Sequence, residues 1–493
     1  MTFRFLNETR SVAGNEWNAN VPSQLWRYNL HYFDDLNAFD GDTRHAWHME
    51  AVEAWIENNP PGSSDPWTPY PTSLRIVNWI KWALRGNELS AGSLESLAVQ
   101  VRWLASRVEW HLLGNHLFVN AKALVFAGLF FEGEESQRWF AKGMHILARE
   151  IPEQILQDGG HLERSPMYHA LALEDVLDLI NIACAFTTGV PDKWRPFIYS
   201  WPVIAGRMRV WLSAMCHPDG EVSFFNDAAF GIAPSPAELN RYADELQVVF
   251  PPSAGNKAGD LRVLQFSDSS YVRVETQDAV VLMDTAPLGP DYLLAHAHAD
   301  TLSFELSVFG HRVIVNSGTS RYGHGPERDA ERGTLAHSTV TIGGEDSSEV
   351  WSAFRVARRA RPIGLEIEDG DECARVSCGH DGYRRLAGQP VHRRCWRVKA
   401  RSIEVEDRVE GGSHFAVARY HLHPALECIL DEPASAAWIT VPGGRRVHFQ
   451  VSGALSLRLV PGFYSSEFGL RDSSRCLEAA LAPNSTLVTA LSW

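Results

Sequence analysis

The spacing of apolar residues changes once along this chain, and that change sets the fold class. In LESLAVQVRWLASRVEWHLL they fall at 94, 97, 98, 101, 104, 105, 108 and 112. Steps of three and four place them on one helical face. YHALALEDVLDLINIACAF is apolar nearly all round, with Glu174, Asp175, Asp178 and Asn181 as one narrow polar stripe. That pattern predicts a helix buried between others. Further helical stretches lie near 72–85, 116–131, 135–156 and 193–215, broken by punctuation such as NNPPGSSDP. Successive helical hairpins predict an all-α array or toroid over residues 1–250. After FPPSAGNKAGD (250–260), the best linker candidate, the period drops to two. Phe304, Leu306 and Val308 alternate with Glu305 and Ser307, and SIEVEDRV at 402–409 behaves alike. HRVIVN, AVARYHLHP, RVHFQVSG and LSLRLV are further strands. Residues 261–493 therefore read as an antiparallel β-sandwich.

Composition narrows the function classes. A chain of 493 residues is too long for one ordinary core. Its net charge of −15 argues against a sequence-independent nucleic-acid binder, which needs a basic surface. A polyanionic substrate stays open, because a local basic cleft can sit on an acidic protein. The 17 tryptophans can build a thick core or line a sugar cleft, with core packing the safer reading. Seven cysteines without CxxC spacing read as reduced structural thiols. The N-terminus shows no charged segment followed by an apolar run, and no stretch is long enough to span a membrane. The expected location is cytoplasmic, or periplasmic or secreted if a signal has been removed.

Four segments gather polar residues in apolar surroundings. GNHLFVNAKAL carries Asn115, His116 and Asn120, where one helix stops and another starts; Asn115 alone reads as a cap. GGHLERSPMYHAL carries Glu163, Arg164, Tyr168 and His169 at the mouth of the buried helix, and a core tyrosine is the plain alternative. SFFNDAAFG, with Asn226 and Asp227, reads most simply as a turn. The strongest signal is LLAHAHADTLSFEL and its sequel. His296 and His298, two apart on a strand, share a face. His337 follows a long Arg- and Gly-rich loop. Three histidines suit zinc, and packed, hydrogen-bonded histidines are the competing reading.

Together these segments resemble the heparinase II/III-like polysaccharide lyases, which include alginate lyases of similar build. The match runs from PSQLWRYNLHYFDDL and PYPTSLRIVNWIKW through GNHLFVNAKALVFAGLFF, GGHLERSPMYHALALEDVLDL and HAHADTLSFELSVFGHRVIVNSGTS to AHSTVTIGGEDSSEVWSAFRVARR. The resemblance implies an incomplete (α/α) toroid followed by an antiparallel β-sandwich, with catalysis in a cleft between them. It implies β-elimination on a uronic-acid-containing polysaccharide. Removing the C5 proton builds negative charge on the neighbouring carboxylate, so donors must sit against it. A base takes that proton, and an acid protonates the departing glycosidic oxygen. Asn115 and His116 resemble the pair that neutralises the carboxylate. Tyr168 resembles the acid, His296 the active-site histidine of the strand domain, and Tyr322 a second tyrosine in the base role. His298 and His337 match the ligands of a structural zinc. The third ligand in relatives is an aspartate, and Asn316 stands at that position. Asp300 is assigned to orienting a histidine or to a surface cap.

Arg75, Arg164, Arg321, Arg328 and Arg332 are candidates to attract an anionic sugar. Trp67, Tyr70, Trp79 and Trp82 are candidates to stack on one, with helix packing the plainer reading for Trp79 and Trp82. Two other function classes remain in view. A glycoside hydrolase would use paired acids such as Glu163, Asp227 and Glu305. A non-catalytic glycan-binding protein of a surface-polysaccharide system would bind without turnover.

Overall fold

The computed structural model describes residues 1–12, 17, 23–251, 256–258, 261–431, 433 and 435–493. The chain divides into two compact units. The first holds Met1–Gln154, Glu174–Ala205 and Glu245–Val248; the second holds Ile155–Leu173, Gly206–Asp244 and Val249–Trp493. This division interleaves segments, where the sequence suggested a single break. Most of the 250–260 stretch lies outside the described residues.

The first unit is helical. Its main helices include His45–Asn58, Pro69–Leu84, Ala91–Ala105, Gly114–Phe130 and Glu134–Gln154. The periodic stretch at 94–112 is not one helix to its end. Ser90 caps the start by accepting from the Ser93 N–H at 3.1 Å, and the helix stops at Ala105. Lys142 Nζ donates to the Ala105 carbonyl at 2.6 Å. Just beyond, the Glu109 N–H donates to Asn120 Oδ1 at 2.9 Å. Side chains from later helices thus satisfy backbone groups that another helical turn would have used. The tryptophans build core: Trp55 lies 6.1 Å from Trp67 and 5.8 Å from Trp79, ring centroid to centroid.

The second unit holds two large antiparallel sheets. One runs Pro362–Asp369, Ala374–His380, Val391–Lys399, Ser402–Glu410, Thr486–Ser492, Arg446–Ser452, Ala436–Thr440, Glu427–Asp431. The other includes Asp472–Leu481, Ala416–Leu422, His311–Val315, Phe304–Val308 and Ala279–Asp284 as consecutive neighbours. Alternate residues of both sheets meet in one apolar core that includes Val281, Phe304, Leu306, Trp396, Val405, Tyr420 and Phe449. Phe304–Val308 departs from simple alternation, because every one of its residues is buried. His217 covers the polar face, with Nε2 2.7 Å from Glu305 and Nδ1 2.7 Å from Ser307 Oγ. Glu305 also accepts the N–H groups of Phe224 and Asn316, both at 3.0 Å.

The HAHAD stretch is not a strand. Residues 291–303 form turns and irregular chain, and the strand begins at Phe304. The same-face argument for His296 and His298 therefore falls. Irregular backbone lets the two rings reach different partners. Among the described residues, no helix is long and apolar enough to cross a membrane.

Candidate active site

Within the second unit, Tyr168, His296 and Tyr322 come together. Tyr168 sits in the first turn of the helix Pro166–Ala185, with its N–H donating to Ser165 Oγ at 3.1 Å. Its hydroxyl is 2.9 Å from that of Tyr322. The His296 ring stacks flat on the Tyr168 ring, centroids 3.8 Å apart and planes 16° from parallel. Burial, then the neighbouring Tyr322, pushes the Tyr168 phenol well above its ordinary range. Burial does the same to Tyr322, with Asp227 adding to it. Both tyrosines therefore carry their protons at neutral pH, which equips one of them as an acid.

Glu163 completes this group; the sequence offered it only as one of the paired acids of a hydrolase, not as a partner of His296. Its Oε2 lies 2.5 Å from His296 Nδ1. Burial drives the carboxyl upward, but His296 and His161 outweigh it, and the group ends below its ordinary pKa. An ionised carboxylate only accepts, so Nδ1 holds the proton and Nε2 is left for another partner. Its sequence signal was only an acid close before Tyr168, in the segment that carries the tyrosine.

Asp227 forms a second knot. Both oxygens engage Arg328, the Oδ2 contact being 2.8 Å, and Oδ1 lies 2.8 Å from His298 Nε2. Burial raises the carboxyl, but Arg328 and His298 pull it far below the usual range. Asn226 accepts from the His298 N–H at 3.0 Å and donates to the Arg164 carbonyl at 3.2 Å. Asp300 accepts the Asn226 N–H at 3.0 Å, so it holds this turn in place and is not surface.

His298 Nδ1 and His337 Nε2 face each other at 3.2 Å. Burial lowers the His298 pKa to about 4, and takes His337 well below its ordinary value. With His298 Nε2–H turned to Asp227, its Nδ1 offers a lone pair. Two nitrogens in a tetrahedral zinc site stand about 3.3 Å apart, given Zn–N bonds of about 2.0–2.1 Å. The spacing fits a cation and equally an imidazole–imidazole hydrogen bond. Asn316 Oδ1 accepts from the Ser338 N–H at 3.1 Å, and Nδ2 approaches Ser303 Oγ at 3.4 Å. Among the described residues, no three His, Cys, Asp or Glu side chains converge on a metal position.

Other candidates lie elsewhere. Arg75 is fully buried in the first unit, donating to Gln100 at 2.8 Å and to the His31 carbonyl at 3.1 Å, with its guanidinium 3.9 Å from the Trp55 ring. Trp67 is buried and donates to the Asn59 carbonyl at 3.0 Å. Trp79 and Trp82 are interior too. Arg164 is buried in the second unit and donates to the Ser269 carbonyl at 3.1 Å. These side chains support the fold. Arg321 is exposed and 3.5 Å from Glu327. Arg328 and Arg332 are buried. In the first unit Asn115, His116 and Tyr70 form a half-buried cluster. The Tyr70 and His116 rings are 4.4 Å apart, Asn115 hydrogen-bonds Tyr70, and His116 Nδ1 is 3.2 Å from Glu109. Asn120 is buried beneath it and bonded to Ser73 and Glu109.

The family models for the heparinase II/III N-terminus and the heparinase II/III-like C-terminal region match residues 12–255 and 259–484. The chain belongs to the heparinase II/III-like family. A heparin-sulfate lyase of Bacteroides stercoris is 27% identical over 263 residues, 49% of this chain and 38% of the relative. The chain thus spans well under half the length of the curated heparin-sulfate lyases it matches. The FtsZ-localized protein C of Caulobacter vibrioides is 23% identical over 463 residues, 87% of this chain and 75% of that protein. Among solved structures, a crystal structure of heparinase III superposes with a TM-score of 0.78 at 18% identity, covering 98% of this chain and 80% of that one. That likeness is one of fold: a helical toroid followed by antiparallel sheets, as the sequence led one to expect.

Proposed function

We propose that this heparinase II/III-like protein is a polysaccharide lyase that cleaves an acidic, uronic-acid-containing polymer by β-elimination. The hydrogen-bonded Tyr168–Tyr322 pair, with His296 stacked on it and braced by Glu163, carries the reading. In the reaction a base removes the C5 proton. The C–H electron pair becomes the C4–C5 double bond, the C4–O bond breaks, and the departing oxygen takes a proton. Tyr168, protonated at neutral pH, is the donor to that oxygen. Tyr322 takes the base role as its phenolate: it first hands its own proton to the unprotonated Nε2 of His296, then accepts the C5 proton, and the imidazolium proton restores Tyr168 after the departing oxygen has been protonated. His296 presents Nε2 with its tautomer set by Glu163. Asn115 and His116 keep the carboxylate-neutralising role on their chemistry alone, an amide and an imidazole beside Tyr70.

Paired-carboxylate hydrolysis finds less support. Asp227 is engaged by Arg328 and His298, Glu305 by His217 and two backbone N–H groups, and Glu163 by His296. A hydrolase needs one carboxyl free to protonate and another free to attack or to activate water.

The test is a panel of uronic-acid polysaccharides followed by absorbance of the unsaturated uronate. Absorbance growth with at least one polymer is expected; reducing ends appearing without it would mean hydrolysis. One observation favours a second reading: the Caulobacter relative aligns over most of this chain, and its name reports localisation and no catalysis. Binding without any product across the panel would support that reading.

Glu163→Gln should leave the fold intact but free the His296 tautomer. We expect kcat to fall tenfold or more, about 1.4 kcal/mol of barrier, and the pH–rate profile to change shape. An unchanged profile would show that Glu163 is merely structural.

His298 and His337 are assigned to a structural divalent cation, with the amide oxygen of Asn316 as third donor. Elemental analysis of purified protein should find about one zinc or similar ion per chain. His298→Ala should then lose it and lower Tm. Metal-free protein with an unchanged Tm on chelator treatment would assign the pair to hydrogen bonding.

A further inference from the structure

The hairpin at 350–356 is taken up by none of the roles above, yet it borders the candidate catalytic group. Val350 pairs with Val356 and Trp351 with Arg355. Ser352 and Ala353 at its tip both take the left-handed conformation, with φ of 51° and 64°. Neither is glycine, so the tip stores backbone strain and needs outside support. Two buried arginines supply it. Arg328 Nε donates to the Ala353 carbonyl at 3.1 Å, and Arg332 Nη1 to the Arg355 carbonyl at 3.4 Å. The Arg328 that holds Asp227 thus also fixes the hairpin.

This support aims three side chains. Phe354 stands edge-on to Tyr322, centroids 5.4 Å apart, and 6.4 Å from His296. Trp351 is 49% exposed, although the chain buries most of its tryptophans. The Arg355 guanidinium lies 5.2 Å from the Trp351 ring. Arginines further along have carboxylate partners: Arg358 with Glu349, Arg359 and Arg361 with Asp291. Arg355 is exposed and makes no ion pair among the described residues.

We propose that Trp351 and Arg355 form a subsite for one anionic sugar of the bound polymer, next to the reacting one. The C–H face of the ring stacks on the indole, and its carboxylate or sulfate ester meets the guanidinium. An aromatic face with an adjacent, unneutralised cation is the chemistry such a residue needs. Phe354 connects this platform to Tyr322 and His296. A hairpin already locked by Arg328 and Arg332 loses little further freedom when ligand binds. The inference rests on the lyase reading for its catalytic readout and has a binding readout of its own.

Trp351→Ala, Arg355→Ala and Arg355→Lys would be made in the full chain. On whichever polymer the panel shows to be cleaved, Trp351→Ala should raise KM about tenfold with kcat within about twofold, since a remote subsite supplies uniform binding. Arg355→Ala should raise KM about fivefold and flatten its salt dependence, with Arg355→Lys recovering part. Binding of unsulfated hyaluronan and of heparan sulfate, measured by calorimetry on the same proteins, separates the sources of negative charge. An equal loss on both assigns Arg355 to the carboxylate; a larger loss on heparan sulfate assigns it to a sulfate. Unchanged KM and unchanged affinity in Trp351→Ala and Arg355→Ala would overturn the subsite. Absence of product with every polymer, while the wild-type chain binds and Trp351→Ala does not, would sink the lyase reading and leave the subsite standing.

Discussion

Tyr168→Phe is expected to abolish elimination while leaving the protein folded. The substitution removes one oxygen, and the phenyl ring keeps its stack on His296. The helix start is untouched, because Ser165 is bonded to the backbone of Tyr168 and not to its hydroxyl. What disappears is the proton donor and its 2.9 Å link to Tyr322. General acid–base groups contribute about 10²- to 10⁴-fold, and a residue serving the departing oxygen belongs toward the upper end. The measurement is kcat from unsaturated-product absorbance, beside Tm and far-ultraviolet circular dichroism. Retention of more than about a tenth of wild-type kcat would remove Tyr168 from the acid role. The variant also separates the two functional readings, since a non-catalytic binder would be indifferent to it.

The second large effect is on stability. Arg328→Ala leaves the Asp227 carboxylate buried without its cation, with His298 and the Thr319 hydroxyl as its remaining side-chain partners. Both members of the pair are wholly inaccessible, and breaking such a pair from one side costs about 3–5 kcal/mol. The loss should exceed that of any exposed pair, such as Arg10 with Glu8, where about 0–1 kcal/mol is typical. It also has a pH signature. A carboxylate depressed in the fold stabilises it above its unfolded pKa of about 3.9, and that contribution is lost as pH falls toward the folded value. Without Arg328 the folded pKa rises, so this contribution shrinks at neutral pH and is gone at a higher pH. Urea unfolding at pH 7 and about pH 3 measures both, the second lying below the unfolded pKa; a wild-type midpoint at each would refute the assignment. The same arginine holds the Ala353 carbonyl, so the hairpin should become protease-sensitive too.

The two textures of the sequence carried the architecture because amphipathic spacing is local. What depended on distant partners was harder to read. The helix predicted through residue 112 ends at Ala105, because Lys142 and Asn120, both later in the chain, take its terminal backbone groups. Glu305 looked like the solvent face of a strand until His217 covered it. His296 and His298 reach different partners, Glu163 and Asp227, because the chain there is irregular and not the strand that the spacing suggested. Arg75 and Trp67 are residue types suited to an anionic sugar, and only tertiary packing reveals them as interior. The pairing of Glu163 with His296 and the Trp351–Arg355 hairpin escaped because one acid, or one aromatic beside one arginine, has no local pattern.

The cover that His217 lays over Glu305 bears on how this protein can be taken apart. Cutting the gene near residue 250 would release a strand half whose central carboxylate has lost its histidine and the Phe224 amide. Such a fragment should be insoluble, whereas one retaining 206–244 keeps the lining intact. Recombination that exchanges C-terminal halves between relatives would therefore succeed only when residues 206–244 travel with them, because that stretch belongs to the strand-bearing unit although it precedes the change of texture in the sequence.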